Sequence, residues 1–362
     1  MDQLTPKKSL TLLLVGTTTC NLACTYCYID DASRARLTPE QFVTIYDKLD
    51  AYFDPDVEFV IVFHGGEPLL LGKDFYRQAF DHLAKQSRSV KTAIQTNLTL
   101  MTPEWARLFG DAGCQIGTSV DGTQAMHDAN RVHKDGRGSH HEVLTRIRGV
   151  IDQGYSCSAI TTLTRTNIQD PDELYEALRS YGATAVYFSL VFQHGDTAAM
   201  PAPGEMGSAL NRLFDRWVAD PDPVNLAFFG EMIRAVLDEQ GAHTCRWAPN
   251  CTEYFLAVQP DGQVFPCCDF VGRDAFSYGN VFDQEIDELW RGDLRTSLAS
   301  RRDTLLAHDR CGSCEIESLC HGGCMAKTQN PWDGRDYYCP DYRAVYAHAR
   351  EVVTGFLEEA AG

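Results

Sequence analysis

Residues 20–28 read CNLACTYCY and set three thiols, Cys20, Cys24 and Cys27, at C-x3-C-x2-C spacing on one short stretch. Three is an informative number. A [4Fe–4S] cube has four irons, each needing one outer ligand, so three cysteines hold the cube and leave one iron open to a substrate. Four would close the site and leave only electron transfer, and two would hold it poorly. Two other readings compete. Spacing i, i+4, i+7 is also that of a buried helical stripe, with cysteine as a small hydrophobe, and zinc is a thiol-loving metal that usually takes four ligands in a structural site.

Composition narrows the class. The chain has 362 residues, 44 % of them apolar, enough for a large core and more than one domain. No apolar run approaches the ~18 residues of a membrane helix. The run LTLLLVG (10–16) is too short and lacks a small-residue cleavage site, so the expected location is cytoplasmic, with no membrane partner. A formal net charge of −18 repels phosphate backbones and argues against a nucleic-acid partner. The fourteen cysteines fall in short-spaced groups, the pattern of metal or cluster ligation in a reducing compartment.

The first ~240 residues alternate short apolar runs with amphipathic stretches, the texture of βα units. Strands are predicted at 10–16, 58–66, 91–97, 114–122, 157–164 and 185–190, with helices at 39–53, 74–86, 103–113, 141–154 and 171–182. Six strands with crossovers predict an α/β fold, a parallel sheet curled into a partial (β/α)6 barrel over residues 1–240. Chemistry then belongs at the C-terminal ends of the strands, where the cysteine loop stands. A barrel open on one side has an edge that an extended peptide could join. Past residue 241 cysteines become dense and strands short, predicting a cysteine-rich domain over 241–340 and a C-terminal helix over 341–362.

The three-cysteine motif, with the aromatic Tyr26 before its last cysteine, resembles the signature of radical S-adenosylmethionine (SAM) enzymes. The turn HGGEP (64–68) after the second strand looks like that family's SAM-binding turn: Gly65 and Gly66 let a ligand approach the backbone, and Glu67 can pair with an ammonium group. QTN (95–97) ends the third strand, and TSVDG (118–122) ends the fourth, with Arg131 twelve residues beyond Ser119. The resemblance implies that Tyr26, Gly65, Gly66, Glu67, Gln95, Asn97, Ser119, Arg131 and Leu190 line the SAM site. Taken singly, Ser119 is also an ordinary turn hydroxyl and Arg131 an ordinary surface charge.

The segment CGSCEIESLCHGGC (311–324) resembles the SPASM extension of radical-SAM peptide modifiers, which holds two auxiliary [4Fe–4S] clusters. Carried over, that pattern implies Cys245, Cys251, Cys267 and Cys324 for one cluster and Cys311, Cys314, Cys320 and Cys339 for the other, three clusters in all. The doublet Cys267–Cys268 leaves an alternative open: DGQVFPC points to the first, the following CDF to the second. Cys114 and Cys157, at strand starts, suit buried thiols. A zinc ribbon is the competing reading of the region.

Among SPASM proteins the chain is most similar to anaerobic sulfatase-maturating enzymes and related ribosomal-peptide maturases, in CDFVGRDAFSYGN (268–280) and LCHGGCMAKTQNPWDGRDYYCPDY (319–342). This implies an enzyme that cleaves SAM to a 5′-deoxyadenosyl radical and oxidises Ser or Cys of a polypeptide to formylglycine. Asp269, next to the cysteine doublet, takes the place of that family's base. The implied partners are a sulfatase or precursor peptide and an electron donor such as flavodoxin or ferredoxin. Two alternatives accompany it: a peptide maturase forming a C–C or C–S crosslink, and a SPASM dehydrogenase of a small alcohol or sugar. A bare electron carrier does not need a SAM pocket. With strand one starting by about residue 10, a fused leader-binding module is not expected.

Overall fold

All six predicted strands are present: β1 (Ser9–Thr17), β2 (Glu58–Gly65), β3 (Val90–Gln95), β4 (Gln115–Ser119), β5 (Cys157–Leu163) and β6 (Val186–Leu190). The protein is seen here as a computed structural model that describes residues 9–29, 34–193, 198–237, 244–307 and 309–361. The boundary expected at 240/241 lies outside the described residues. Among the described residues no helix is long and apolar enough to cross a membrane.

Local chemistry explains where the helices begin. Pro39, Pro103 and Pro171 each open a helix, behind Thr38, Thr102 and Asp170, whose side chains accept the backbone N–H of Gln41, Trp105 and Glu173. Proline loses nothing in the first turn, and a short oxygen-bearing side chain before it satisfies an orphan donor. β4 ends three residues short of its prediction. The chain turns at Gly122 (φ +101°), and Asp121 Oδ1 accepts the N–H of Thr162 at 2.8 Å, so Asp121 is spent on the fold.

The chain forms two compact units, each discontinuous in sequence: Met1–Ser119, Arg131–Cys157 and Asn250–Ala299 in the first, Val120–Asn130, Ser158–Pro249 and Ser300–Gly362 in the second. In the first unit the strand order is β4-β3-β2-β1-β7-β8-β9, where β7 is Phe255–Val258, β8 Gln263–Phe265 and β9 Gly279–Asn280. β1 pairs in parallel with β2 on one side and with β7 on the other, Thr11 opposite Phe255 and Leu14 opposite Val258. The edge expected to be open at β1 is therefore covered by the chain's own β7, which satisfies its ladder groups. Leu10, Leu12 and Leu14 point inward from β1, and Phe63, Tyr76 and Phe109 pack edge-on at 4.9–5.2 Å behind β2.

In the second unit β5 and β6 pair in parallel, Thr161 opposite Phe188. The C-terminal helix spans Cys339–Ala361 and so starts two residues earlier than predicted, with Cys339 in its first turn. Its Asp341 accepts the N–H groups of Gly204 (2.9 Å) and Gly207 (2.6 Å), which pins the helix start to the helix Glu205–Ala219.

Candidate functional site

β1 ends at Thr17, and the cysteine loop follows at once, fastened by the turn after β2. Gly66 donates its N–H to Thr17 O (2.8 Å) and Glu67 donates to Thr19 O (2.9 Å). A Cβ on Gly65 would stand 2.3 Å from Thr17 O, and one on Gly66 2.3 Å from Thr19 O. The glycines, expected to admit a ligand, thus admit the chain's own backbone: they let the turn seat against Thr17–Thr19. From the other side, Ala23 N–H donates to Val132 O at 2.8 Å, tying the loop to the segment of Arg131.

Three groups reach the sulfurs. Cys20 Sγ accepts the N–H of Leu22 at 3.4 Å and lies 3.8 Å from Asn97 Nδ2, while Arg131 Nη1 lies 4.0 Å from Cys24 Sγ. The Arg131 guanidinium also sits 5.2 Å over the ring of Tyr26. Burial, and then the charges of Glu67, Cys24 and Cys27, push the Cys20 thiol up to about 12. Only a strong local positive charge makes such a thiol a thiolate, and a ligated iron supplies one. Among the described residues no three His, Cys, Asp or Glu side chains are close enough together to hold a single ion. A cube is larger than an ion, and thiols within each other's field on one loop, with N–H donors aimed at sulfur, suit it.

Glu67 is fully buried, with both oxygens occupied. Oε1 accepts Leu69 N–H (2.9 Å) and the Thr96 hydroxyl (2.7 Å), and Oε2 accepts Asn97 N–H (2.9 Å). The expected pairing of this carboxylate with an ammonium group is not open to a side chain so placed. It braces the ends of β2 and β3 instead. Gln95 Nε2 donates to Ser119 Oγ at 3.2 Å, so those two expected residues meet. Leu190, in the second unit, has a fully buried side chain, and its carbonyl accepts Lys327 Nζ at 2.5 Å.

Asp269 stands among residues the sequence reading passed over. Tyr28 hydrogen-bonds the thiol of Cys268 and is within electrostatic range of Asp269 and Cys27. Its ring stacks on that of His64, centroids 6.5 Å apart. His64 is also in the field of Asp269, and burial holds its pKa below the usual imidazole value. Its Nδ1 accepts the N–H of Gly65 at 2.7 Å, so the neutral ring carries its proton on Nε2. Tyr28 was within the opening motif and His64 within HGGEP, but nothing in their spacing marks a shared place. Cys267 faces elsewhere: Tyr278 feels Cys251 and Cys267, and Arg273 feels Cys267 and Asp269.

The remaining cysteines gather within the second unit. Cys311, Cys314, Cys320 and Cys339 line a cavity of about 520 Å³, flanked by Arg335 and Arg343. Burial pushes the Cys320 thiol up to about 12, with Asp336, Cys339 and Cys314 adding to the rise. Cys245 and Cys324 both lie in the field of the buried Arg246. Cys114 and Cys157 are buried, as expected.

Comparison with known proteins agrees with this arrangement. The radical SAM superfamily profile matches residues 14–190, and that of SPASM, an iron–sulfur cluster-binding domain, matches residues 245–315. A cysteine-type anaerobic sulfatase-maturating enzyme of Clostridium novyi is 26 % identical over 335 residues, 88 % of each chain. A serine-type enzyme of Bacteroides thetaiotaomicron is 25 % identical over 361 residues, 91 % of this chain and 86 % of its own. In fold, the chain is similar to native anSMEcpe with bound AdoMet and Cp18Cys peptide (TM-score 0.84, 22 % identity, 97 % of this chain and 99 % of the other). It is similar also to Streptococcus suis SuiB bound to precursor peptide SuiA (TM-score 0.66, 17 % identity, 92 % and 76 %). The two matched profiles together take in more than half of the chain, and they fall on the cysteine loop with its strands and on the first part of the cysteine-rich region: the protein belongs to the radical SAM superfamily and carries a SPASM domain.

Proposed function

We propose that this radical SAM enzyme oxidises a Ser or Cys side chain of a bound polypeptide to Cα-formylglycine. The observation that supports the reading most is the grouping of Asp269, Tyr28 and His64 beside the Cys20–Cys27 loop. Cys20, Cys24 and Cys27 hold the SAM-binding cluster, and the SPASM cysteines, Cys267 among them, hold two more. When bound, the first cluster and SAM supply the one-electron cleavage that yields a hydrogen-abstracting radical. Asp269 takes the proton from the substrate hydroxyl or thiol, an oxygen base poised beside the carbon that is oxidised. His64, its proton on Nε2, donates to the substrate or to Asp269. Tyr28, tethered to Cys268, closes one wall. The electron donor is a flavodoxin or ferredoxin, and the location cytoplasmic.

The test is a peptide of about 15–20 residues, long enough to lie extended across a site mouth, carrying a central Ser or Cys. The expected result is faster release of 5′-deoxyadenosine and, for the Ser peptide, a loss of about 2 Da, two hydrogens. The same loss with a crosslink in the fragment spectra marks a peptide cyclase instead. Turnover of small alcohols or sugars alone, with every peptide unchanged, overturns the reading.

A further inference from the structure

Within the second unit, two consecutive residues and a ring packed on them hold three buried hydrogen-bond donors with no partner. Arg246 Nε, Trp247 Nε1 and the Tyr342 hydroxyl are all sealed from water and unbonded. Buried polar groups in folded proteins are nearly always satisfied, so three orphans in one place call for an acceptor. The placement is firm. Arg246 Nη2 donates to Phe188 O at 2.9 Å, and its guanidinium lies 5.3 Å from the ring of Phe228 and 5.8 Å from those of Trp247 and Tyr342. The Trp247 and Tyr342 rings meet edge-on at 5.0 Å. Cys245 immediately precedes Arg246, both Cys245 and Cys324 lie in its field, and Cys324 and Cys320 lie in that of Tyr342. The Cys324 N–H is held by Asp336 Oδ2 at 2.9 Å.

In the first unit Tyr278 repeats the arrangement: its hydroxyl is buried without a partner, in the field of Cys251 and Cys267. All these orphans are donors, and they stand beside cysteines. Sulfide and thiolate are the acceptors they lack. Arginine adds a permanent positive charge, which favours the more negative, reduced form of a cluster.

We propose that Arg246 and Tyr342 donate to the sulfur atoms of the iron–sulfur group held through Cys245 and Cys324 and raise its reduction potential. This rests on the ligand reading of the proposed function. The experiment is a redox titration, followed by electron paramagnetic resonance, of the full chain reconstituted with iron and sulfide. Tyr342→Phe, Arg246→Lys and Arg246→Gln are compared with the parent, alongside thermal unfolding of the metal-free proteins. In Tyr342→Phe and Arg246→Gln one cluster's midpoint is expected to move negative, by at least a tenfold change in its reduced-to-oxidised ratio, about 59 mV for one electron. Arg246→Lys, which keeps the charge, moves it less. Metal-free Tyr342→Phe is expected to melt no lower than the parent, because its hydroxyl has no partner there. Unmoved midpoints at full iron content overturn the proposal, as does a metal-free Tyr342→Phe that melts lower while its potential stays. If Cys324→Ala keeps every iron, the ligand reading itself fails and takes this inference with it.

Discussion

Glu67 Oε2 accepts the backbone N–H of Asn97 at 2.9 Å, so a carboxylate fully withdrawn from water ties the end of β2 to the end of β3. Asn97 in turn donates from Nδ2 to Asn21 Oδ1 at 2.9 Å, and the brace reaches the cysteine loop. Burial raises the Glu67 pKa to about 7, although three hydrogen bonds oppose the rise. A folded-state pKa raised above its unfolded value of about 4.5 adds stability that is complete below 4.5 and is lost as pH climbs through 7. Metal-free protein is expected to lose about 3 kcal/mol across that window from this group. Glu67→Gln should flatten the curve there, as urea unfolding at a series of pH values would show. An equally steep curve in the variant would place the titration elsewhere.

Gly66→Ala puts a methyl 2.3 Å from Thr19 O and 2.6 Å from Thr18 O, both backbone atoms that cannot swing aside. The expected cost is about 1–3 kcal/mol. The loop that shifts is the one bearing Cys20, so the iron of that cluster should fall while iron elsewhere stays. Calorimetry and iron analysis on one preparation check both effects.

Replacing Cys20, Cys24 and Cys27 with Ala is expected to lower iron from about twelve to about eight per chain after anaerobic reconstitution. SAM cleavage should disappear. A parent protein rich in zinc with a single cube would contradict the three-cluster reading.

Asp269→Asn is expected to keep its iron and still release 5′-deoxyadenosine, because a base acts after hydrogen abstraction. Product should fall by about 10²–10⁴-fold, the usual worth of a positioned base. Product near the parent level would move the base to another residue, and lost iron would make Asp269 structural. Tyr28→Phe, which removes the hydrogen bond to Cys268, tests whether the wall it forms matters for product yield at constant SAM cleavage.

The sequence by itself determined whatever depends on neighbours along the chain. Period and punctuation placed six strands, the Thr-Pro and Asp-Pro pairs started three helices, and three thiols within eight residues identified an open cluster site, since one loop suffices to hold them. Tertiary structure decided what depends on direction and on distant partners. Cys267 is fully extended (φ −162°, ψ 179°), and successive side chains on extended backbone point to opposite sides, so one thiol of the doublet faces Tyr278 and the other Tyr28. No residue pattern along the chain records which. β7 lies on β1 across more than 230 residues of sequence, where pairing is set by the ladder left unfilled on β1. Glu67 looked outward in a glycine turn and is buried, because Thr96 and Asn97 bring donors to it from another strand. A carboxylate is drawn to wherever N–H groups are left unpaired, and only the folded chain says where that is.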